Sequence, residues 1–526
     1  MTDLKRATEI SLLHHALSGV AEEMGEALKR TAYSPNIKER QDYSCAVFDA
    51  DGRLIAQAAH LPVHLGSMPA SVKAVIENCK LQYDDYAVVN DPYTGGTHLP
   101  DITMVRPVYS ESNRKLLGYV ANRAHHADVG GAAAGSMSPQ TDLNAEGLVI
   151  PPSIIKRNNE LTDIWYLMLA NTRTPIEREG DLWAQFAACD RGYSRLSEVI
   201  ERVGFMNFTK QCDGLIEHSH QLVAETLKTL RAGTFKADDV VESDGAGNGP
   251  FRIRLSLTTK NGRLSFDFSA SDPQAVGGIN AVKAVTQSAV YYTVLCLCED
   301  TPPINEGCFR DIEVVTKAGT IVDAKRPAPV AGGNVETSQR IVDVCFQALA
   351  KAGAKVSAGS QGTMNNLTIG GIAEYGKAFT YYETIAGGCG AGPSLDGASA
   401  THSHMTNTLN TPIEALEHAY PLRVEEYSIR AGSGGVGKQV GGEGIVRRIR
   451  ALVPCTYGLL SEIRETQPKG IKRGSGGRPG INQILCADGQ VEALESKTSG
   501  NIETGEAIDI RTPGGAGYGK KKDSAK

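Results

Sequence analysis

The sequence predicts a multidomain α+β fold of mixed α/β character, with a metal-binding N-terminal α/β region and a glycine-rich, strand-rich C-terminal region. Three observations lead there. At 526 residues the chain exceeds what one ordinary hydrophobic core organises, so two to four domains are expected. Apolar residues recur at helical spacing in some segments and alternate at strand spacing in others. Glycine and proline, 57 and 23 residues, run slightly above average usage, and much of the excess lies in runs near polar clusters.

Residues 8–30 place Ile10, Leu13, Leu17, Val20, Met24 and Leu28 on one helical stripe that ends before Pro35. IKERQDYSCAVFDADGRLIAQA reads as two short strands joined through Asp51-Gly52, a hairpin signal, with Asp42 at the start of the first. HLPVHLGSM leads into a helix over 67–79. YAVVN, ITMVRPVY and GYVANRA read as strands, and residues 181–232 as helix. QAVGGI and the hairpin RIRLSLTTKNGRLSFDFSA, which turns at Asn261-Gly262, open a strand-rich section. Helices are expected at 280–298 and 335–353. Beyond Gly359 come short strands and glycine, ending in TPGGAGYG. The expected divisions are 1–234, 235–358 and 359–526.

Composition excludes several classes. Hydrophobic residues make up 41% and charged residues 22%, an ordinary globular balance. A net charge of −6 offers no footprint for nucleic acid or an anionic membrane, and the lysines at 520–522 are only a short solvated tail. No apolar run of about 18 residues is available to span a bilayer, and no leader pattern opens the chain; a cytoplasmic protein is expected. Eleven cysteines without a CxxC pair read as reduced thiols packed as small hydrophobes. Cys296 and Cys298 are expected in the core.

The chemistry is concentrated in NDPYTGGTHLPD and NRAHHADVGG, each following a strand end. His98 and Asp101 stand three apart in a loop closed by Pro100, so both can converge on one ion. The second segment offers His125 or His126, and Asp128. Adjacent residues of extended backbone point to opposite sides, which favours His125 as ligand and turns His126 toward a supporting contact or the substrate. Asp42 is the fourth candidate. Neutral imidazoles with a carboxylate suit zinc first, with manganese or iron also fitting. The plain alternative is a set of hydrogen-bonding turn residues. His60 and His64 bracket LPV and fit supporting donors or a general base.

Other polar segments carry less. GSGGVGK (432–438) has P-loop spacing, but Gln439 replaces the magnesium-binding hydroxyl and QVGGEG cannot start a helix, so no phosphate site is read there. Residues 387–417 gather Asp396, His402, His404, Asn407, Asn410 and Glu414 among small residues, fitting a substrate, ion or partner site as well as a self-satisfied loop. Cys389 lacks an identifiable base.

At these residues, and through EGLVIPP, INEGCFR, GTMNN, HMTNTLNTPIE and TPGGAGYG, the sequence resembles the hydantoinase B/5-oxoprolinase family over nearly its whole length. The resemblance implies a two-component, ATP-dependent amidohydrolase of cyclic amides. A hydantoinase A-type subunit would bind ATP and magnesium and phosphorylate the amide oxygen, in an (αβ)2 heterotetramer. This chain would deliver metal-bound water or bicarbonate to open the ring of a hydantoin, oxoproline or lactam. Two further readings accompany it: the corresponding subunit of an ATP-dependent acetone- or acetophenone-type carboxylase, and a non-catalytic scaffold for the ATPase. Carried over by position, His98, Asp101, His125 and Asp42 would be the metal ligands. His98, His126, Asp42 and His64 form the expected catalytic set.

Overall fold

Phe48 and Val47 are neighbours in one strand, yet neither is exposed, because the sheet that carries the polar loops is covered on both faces. The structure, a computed structural model, describes residues 2–58, 61–112 and 114–521; His60 and Lys522 lie outside them. Helix α1 spans Thr2–Thr31 and buries the predicted stripe at Leu13, Leu17, Val20, Met24 and Leu28. The hairpin β1 (Tyr43–Asp49) and β2 (Leu54–Gln57) follows, then α2 (Ser67–Asn78) and β3 (Tyr86–Val89). β4 (Asp101–Tyr109), β5 (Leu116–His125), β6 (Ser153–Arg157) and β7 (Glu160–Leu161) complete an antiparallel sheet of order β2-β1-β5-β4-β3-β6-β7.

One face packs on α1 and on α3 (Pro175–Val203). The other packs on α2, where Met68, Val72 and Val75 meet Ala46, Phe48, Val89 and Val105. Burial on both sides explains why these strands read as near-continuous apolar runs. α4 (Phe205–Lys228) continues from α3 after a break at Gly204. The expected helix over 181–232 is thus two helices, the first starting six residues earlier.

β8 (Gly233–Val241), β9 (Phe251–Lys260), β10 (Arg263–Asp267) and β11 (Ile312–Val315) form a second sheet, with β10 and β11 parallel. Asn261 and Gly262 both take positive φ at the β9–β10 turn, the backbone of a type I′ hairpin. QAVGGI forms no strand. α5 (Lys283–Leu295) and α6 (Ser338–Lys351) pack together, and α6 also covers β8 and β9. Because α5 stops at Leu295, Cys296 caps the helix and is exposed, which corrects the core placement expected for it, whereas Cys298 is half-buried against the main core. All eleven cysteines are free.

The last third is two facing sheets. β12 (Asn366–Ile372), β13 (Ala378–Glu383), β16 (Cys455–Leu460) and β19 (Lys497–Ile502) form one, ordered β13-β12-β16-β19. The other is ordered β14-β15-β20-β17-β18, from β14 (Leu422–Arg430), β15 (Gly444–Ala451), β17 (Ile481–Leu485), β18 (Val491–Leu494) and β20 (Ala507–Arg511). Leu367, Ile369 and Leu459 from the first meet Ile445, Ile449, Ile508 and Ile510 from the second in one apolar cluster. A separate, larger cluster runs from Leu13 through Leu255, Phe266, Val285 and Ile341 to Leu460.

Glycine runs fill one end of the sandwich. Gly515 N donates to Gly442 O, Gly442 N to Cys389 O, and Gly435 N to Gly515 O. A Cβ on Gly515 would lie 1.9 Å from Cys389 O, so backbones touch there with no room for side chains. The P-loop-like segment belongs to this weave, and no helix follows it.

Candidate metal centre

Asp101 opens β4 and His125 closes β5, and the antiparallel register sets them directly opposite each other. The loop before Asp101 brings in His98. Asp91 starts it by accepting from Tyr93 N and Thr94 Oγ1. Asn90 ties both ends, donating to Leu99 O and Leu148 O and accepting from Ile150 N. Gly96 passes so close that a Cβ would stand 2.5 Å from Asn90 O. A tight turn from His98 O to Asp101 N, 3.2 Å, then places the imidazole over the carboxylate.

The three side chains are 1–2% exposed and offer ligand atoms all within 4.8 Å of one another, the one such group among the described residues. His98 Nε2 lies 3.0 Å from Asp101 Oδ1, and His125 Nδ1 3.2 Å from the same oxygen. Thr97 Oγ1 donates to Asp101 Oδ2 at 2.8 Å, and His64 Nε2 lies 3.3 Å from it. His125 Nε2 and His98 Nδ1 find no hydrogen-bonding partner in the protein, and His98 Nε2, though 3.0 Å from Asp101 Oδ1, is not aligned to bond it. Orphaned buried nitrogens are costly unless something coordinates them.

Charge states suit a cation. Burial lowers the pKa of His125 and His64, which favours their neutral rings. Burial alone would raise Asp101, but the facing His98, His125 and His64 outweigh it and hold the carboxyl well below its ordinary value. Two imidazoles and a carboxylate in a dry pocket are an N/O donor set that fits a divalent ion.

Other candidates stand outside this trio. Asp42 is buried 3.7 Å from the Arg40 guanidinium, and its backbone carbonyl accepts from His125 N. Burial pushes its carboxyl up. His64 is committed at both nitrogens, Nδ1 lying 2.8 Å from Ser44 Oγ. His126 points to the opposite side of β5, as strand alternation requires, with Nε2 3.0 Å from Gln185 Oε1. Asp128 holds the 172–173 turn, accepting from Thr172 Oγ1 and from Arg173 N and Nη1.

In the 387–417 segment, Asp396 accepts from Val440 N, and Asn410 joins Thr384 O to Tyr427. Burial pushes the Cys389 thiol up to about 11, so it holds no thiolate at neutral pH.

Tyr382 was not singled out by the sequence, yet its ring stacks on His125 with centroids 4.5 Å apart. It comes from β13, far along the chain. The motif GTMNN, which supplies its partner Asn366, was the nearest available signal.

Fold and site together define a mixed α/β chain with a buried histidine–carboxylate centre. The chain belongs to the Hydantoinase B/oxoprolinase family, whose match runs over residues 6–521. It is 40% identical to an uncharacterized protein of Methanocaldococcus jannaschii, over 97% of this chain and 90% of that one. It is 37% identical to 5-oxoprolinase 1 of Arabidopsis thaliana over 97% of this chain, spanning 42% of that longer protein. The crystal structure of the ATP-dependent caprolactamase from Pseudomonas jessenii superposes with a TM-score of 0.90 at 26% identity, covering 97% of this chain and 90% of that one. An acetone carboxylase shares the fold at 19% identity, with a TM-score of 0.89 over 98% of this chain and 76% of that one.

Proposed function

We propose that this chain is the metal-dependent, non-ATPase component of an ATP-dependent cyclic-amide hydrolase acting on hydantoins, 5-oxoproline or lactams. The observation that carries this reading is the His98–Asp101–His125 cluster with its unpartnered imidazole nitrogens, in a family whose members include enzymes named for those reactions. An amide resists hydrolysis because nitrogen donates into the carbonyl. Phosphorylation of the amide oxygen by a hydantoinase A-type partner, in an (αβ)2 assembly, removes that protection. This chain then receives the activated ring and delivers water, or bicarbonate as its source, to its carbon; the ring C–N bond breaks as the nitrogen takes up a proton and leaves as an amine, and a second water releases phosphate from the acyl phosphate.

His98, Asp101 and His125 would hold the ion, zinc in the first instance, with Asp42 the neighbouring carboxylate. Such an ion, when bound, supplies Lewis acidity that brings the pKa of water from about 15.7 to roughly 7. His64 and Thr97 keep Asp101 in place. His126, turned to the other side of the strand and held by Gln185, stays outside the ligand set.

The test is ATP consumption by the chain co-purified with its ATPase partner. Hydantoin, 5-oxoproline or caprolactam is expected to stimulate it, and acetone or acetophenone with bicarbonate is not. Stimulation by ketones alone would move the chain to the carboxylases. Turnover and metal content unchanged in His98→Ala would make it a scaffold.

A further inference from the structure

All three candidate ligands lie within residues 98–125, but the surface against which His125 rests comes from far along the chain. Tyr382 of β13 lies parallel to the His125 ring, with centroids 4.5 Å apart and planes 16° from parallel. A flat neighbour at that distance limits rotation of the imidazole, and so sets where its unpartnered Nε2 is aimed.

Tyr382 is itself held from several sides. Its hydroxyl donates to Asn366 Oδ1 at 2.9 Å, its backbone oxygen accepts from Arg40 Nη1 at 3.3 Å, and the Arg40 guanidinium lies 4.8 Å from its ring centre. Asn366 Nδ2 in turn donates to Glu336 Oε1 at 2.7 Å and to Leu460 O at 2.9 Å. Glu336 sits in a π-helical turn, Gly333–Thr337, ahead of α6, and accepts from Met364 N. π-turns of this kind are found at functional sites more often than chance.

Plain packing does not call for this arrangement. A purely apolar contact would not need a buried hydroxyl, amide and carboxyl, each of which loses hydration on burial. Glu336, Asn366 and Tyr382 are 0–4% exposed, and their contacts form one path that ends on the ring of a candidate ligand. Burial pushes the Glu336 carboxyl up to about 8, which favours its protonated form at neutral pH.

We infer that Tyr382 is a positioning residue of the metal centre: its ring sets the orientation of His125, and the Asn366–Glu336 pair holds Tyr382 there. The inference rests on the metal-centre reading, and the experiment separates the two. The full-length chain is stripped of metal and titrated with cobalt(II), read by its ligand-field absorption, and with zinc, read by competition with a chelator.

Wild type is measured first. If it binds neither ion, the metal-centre reading falls and the inference with it. Given binding, Tyr382→Leu is expected to weaken affinity by about 10- to 100-fold, as loss of a ligand's support does, and to shift the cobalt bands. Tyr382→Phe, which keeps the ring, is expected to hold the loss below about tenfold with wild-type bands. Wild-type affinity and spectrum in Tyr382→Leu would overturn the inference and leave the metal centre standing. So would a phenylalanine protein as impaired as the leucine one. Should Tyr382→Leu fail to fold, Tyr382→Met replaces it; failure of both would make Tyr382 a packing residue and overturn the proposal.

Discussion

Asp101 gathers more contacts than any other group in the centre: His98, His125, His64 and Thr97 all face its two oxygens. Asp101→Asn keeps the shape, removes the charge and turns an N–H donor toward the imidazoles. Bound metal per chain, measured by elemental analysis, is expected to fall with affinity reduced at least about 100-fold. His126→Gln, altered on the far side of β5, is expected to retain its metal. A second residue prediction concerns Glu146, whose buried carboxyl accepts from Val330 N and Ala331 N. Burial raises its pKa from 4.5 to about 8. The folded state therefore holds this proton more tightly than the unfolded chain does. Its contribution to stability is complete below pH 4.5 and is lost as pH rises toward 8, amounting to a few kcal/mol at most. Denaturant melts across that window should show a steeper decline in wild type than in Glu146→Gln. At this scale His98, Asp101 and His125 were legible as a group, because they lie in short strand-end segments; His64, read only as a supporting donor or general base, lies beside Asp101. Tyr382, Asn366 and Glu336 were not, since they join the site through tertiary packing that leaves no local pattern.

Among the elements, hairpins and amphipathic stripes were the readable part. Both hairpins turn as expected: Asn261-Gly262 takes positive φ at both residues, which few other pairs tolerate, and at Asp51-Gly52 the glycine alone does. The register pairing Asp101 with His125 could not be read, since strands buried on both faces lack the alternation that fixes register from sequence. Helix ends were also poorly legible: apolar residues continue past Leu295, and only the structure shows Cys296 emerging into solvent. The Asn261-Gly262 turn supports a clean stability test. Gly262 has φ +74, and an added Cβ would make only an ordinary contact at 3.5 Å with Lys228. Gly262→Ala should thus cost about 1 kcal/mol of backbone strain without a clash. A shift in urea midpoint at constant slope measures it; a loss well above that figure would show that the turn does more than join β9 to β10.

At the level of the whole molecule, the candidate ion would sit where parts far apart in sequence already share one buried apolar cluster, which runs from Leu13 to Leu460 and includes Tyr382. The ion's ligands belong to the N-terminal sheet, whereas Tyr382 lies on a strand of the C-terminal sandwich and Glu336 stands at the foot of α6. Binding that favours the folded chain adds RT ln(1 + [L]/Kd), about 2.7 kcal/mol when the free ion is a hundred times its Kd. Because the contacts run across the chain, the gain should appear in the melting of the N-terminal sheet and sandwich together rather than in one local transition. Chelation is expected to lower the melting temperature by a few degrees, abolish substrate-stimulated ATP consumption by the complex, and leave the ATPase partner bound on a sizing column. Zinc added back should restore both stability and turnover. Unchanged melting and turnover in protein shown to be free of metal would reduce the His98–Asp101–His125 cluster to a buried hydrogen-bonding network. The orphaned imidazole nitrogens would then need another explanation.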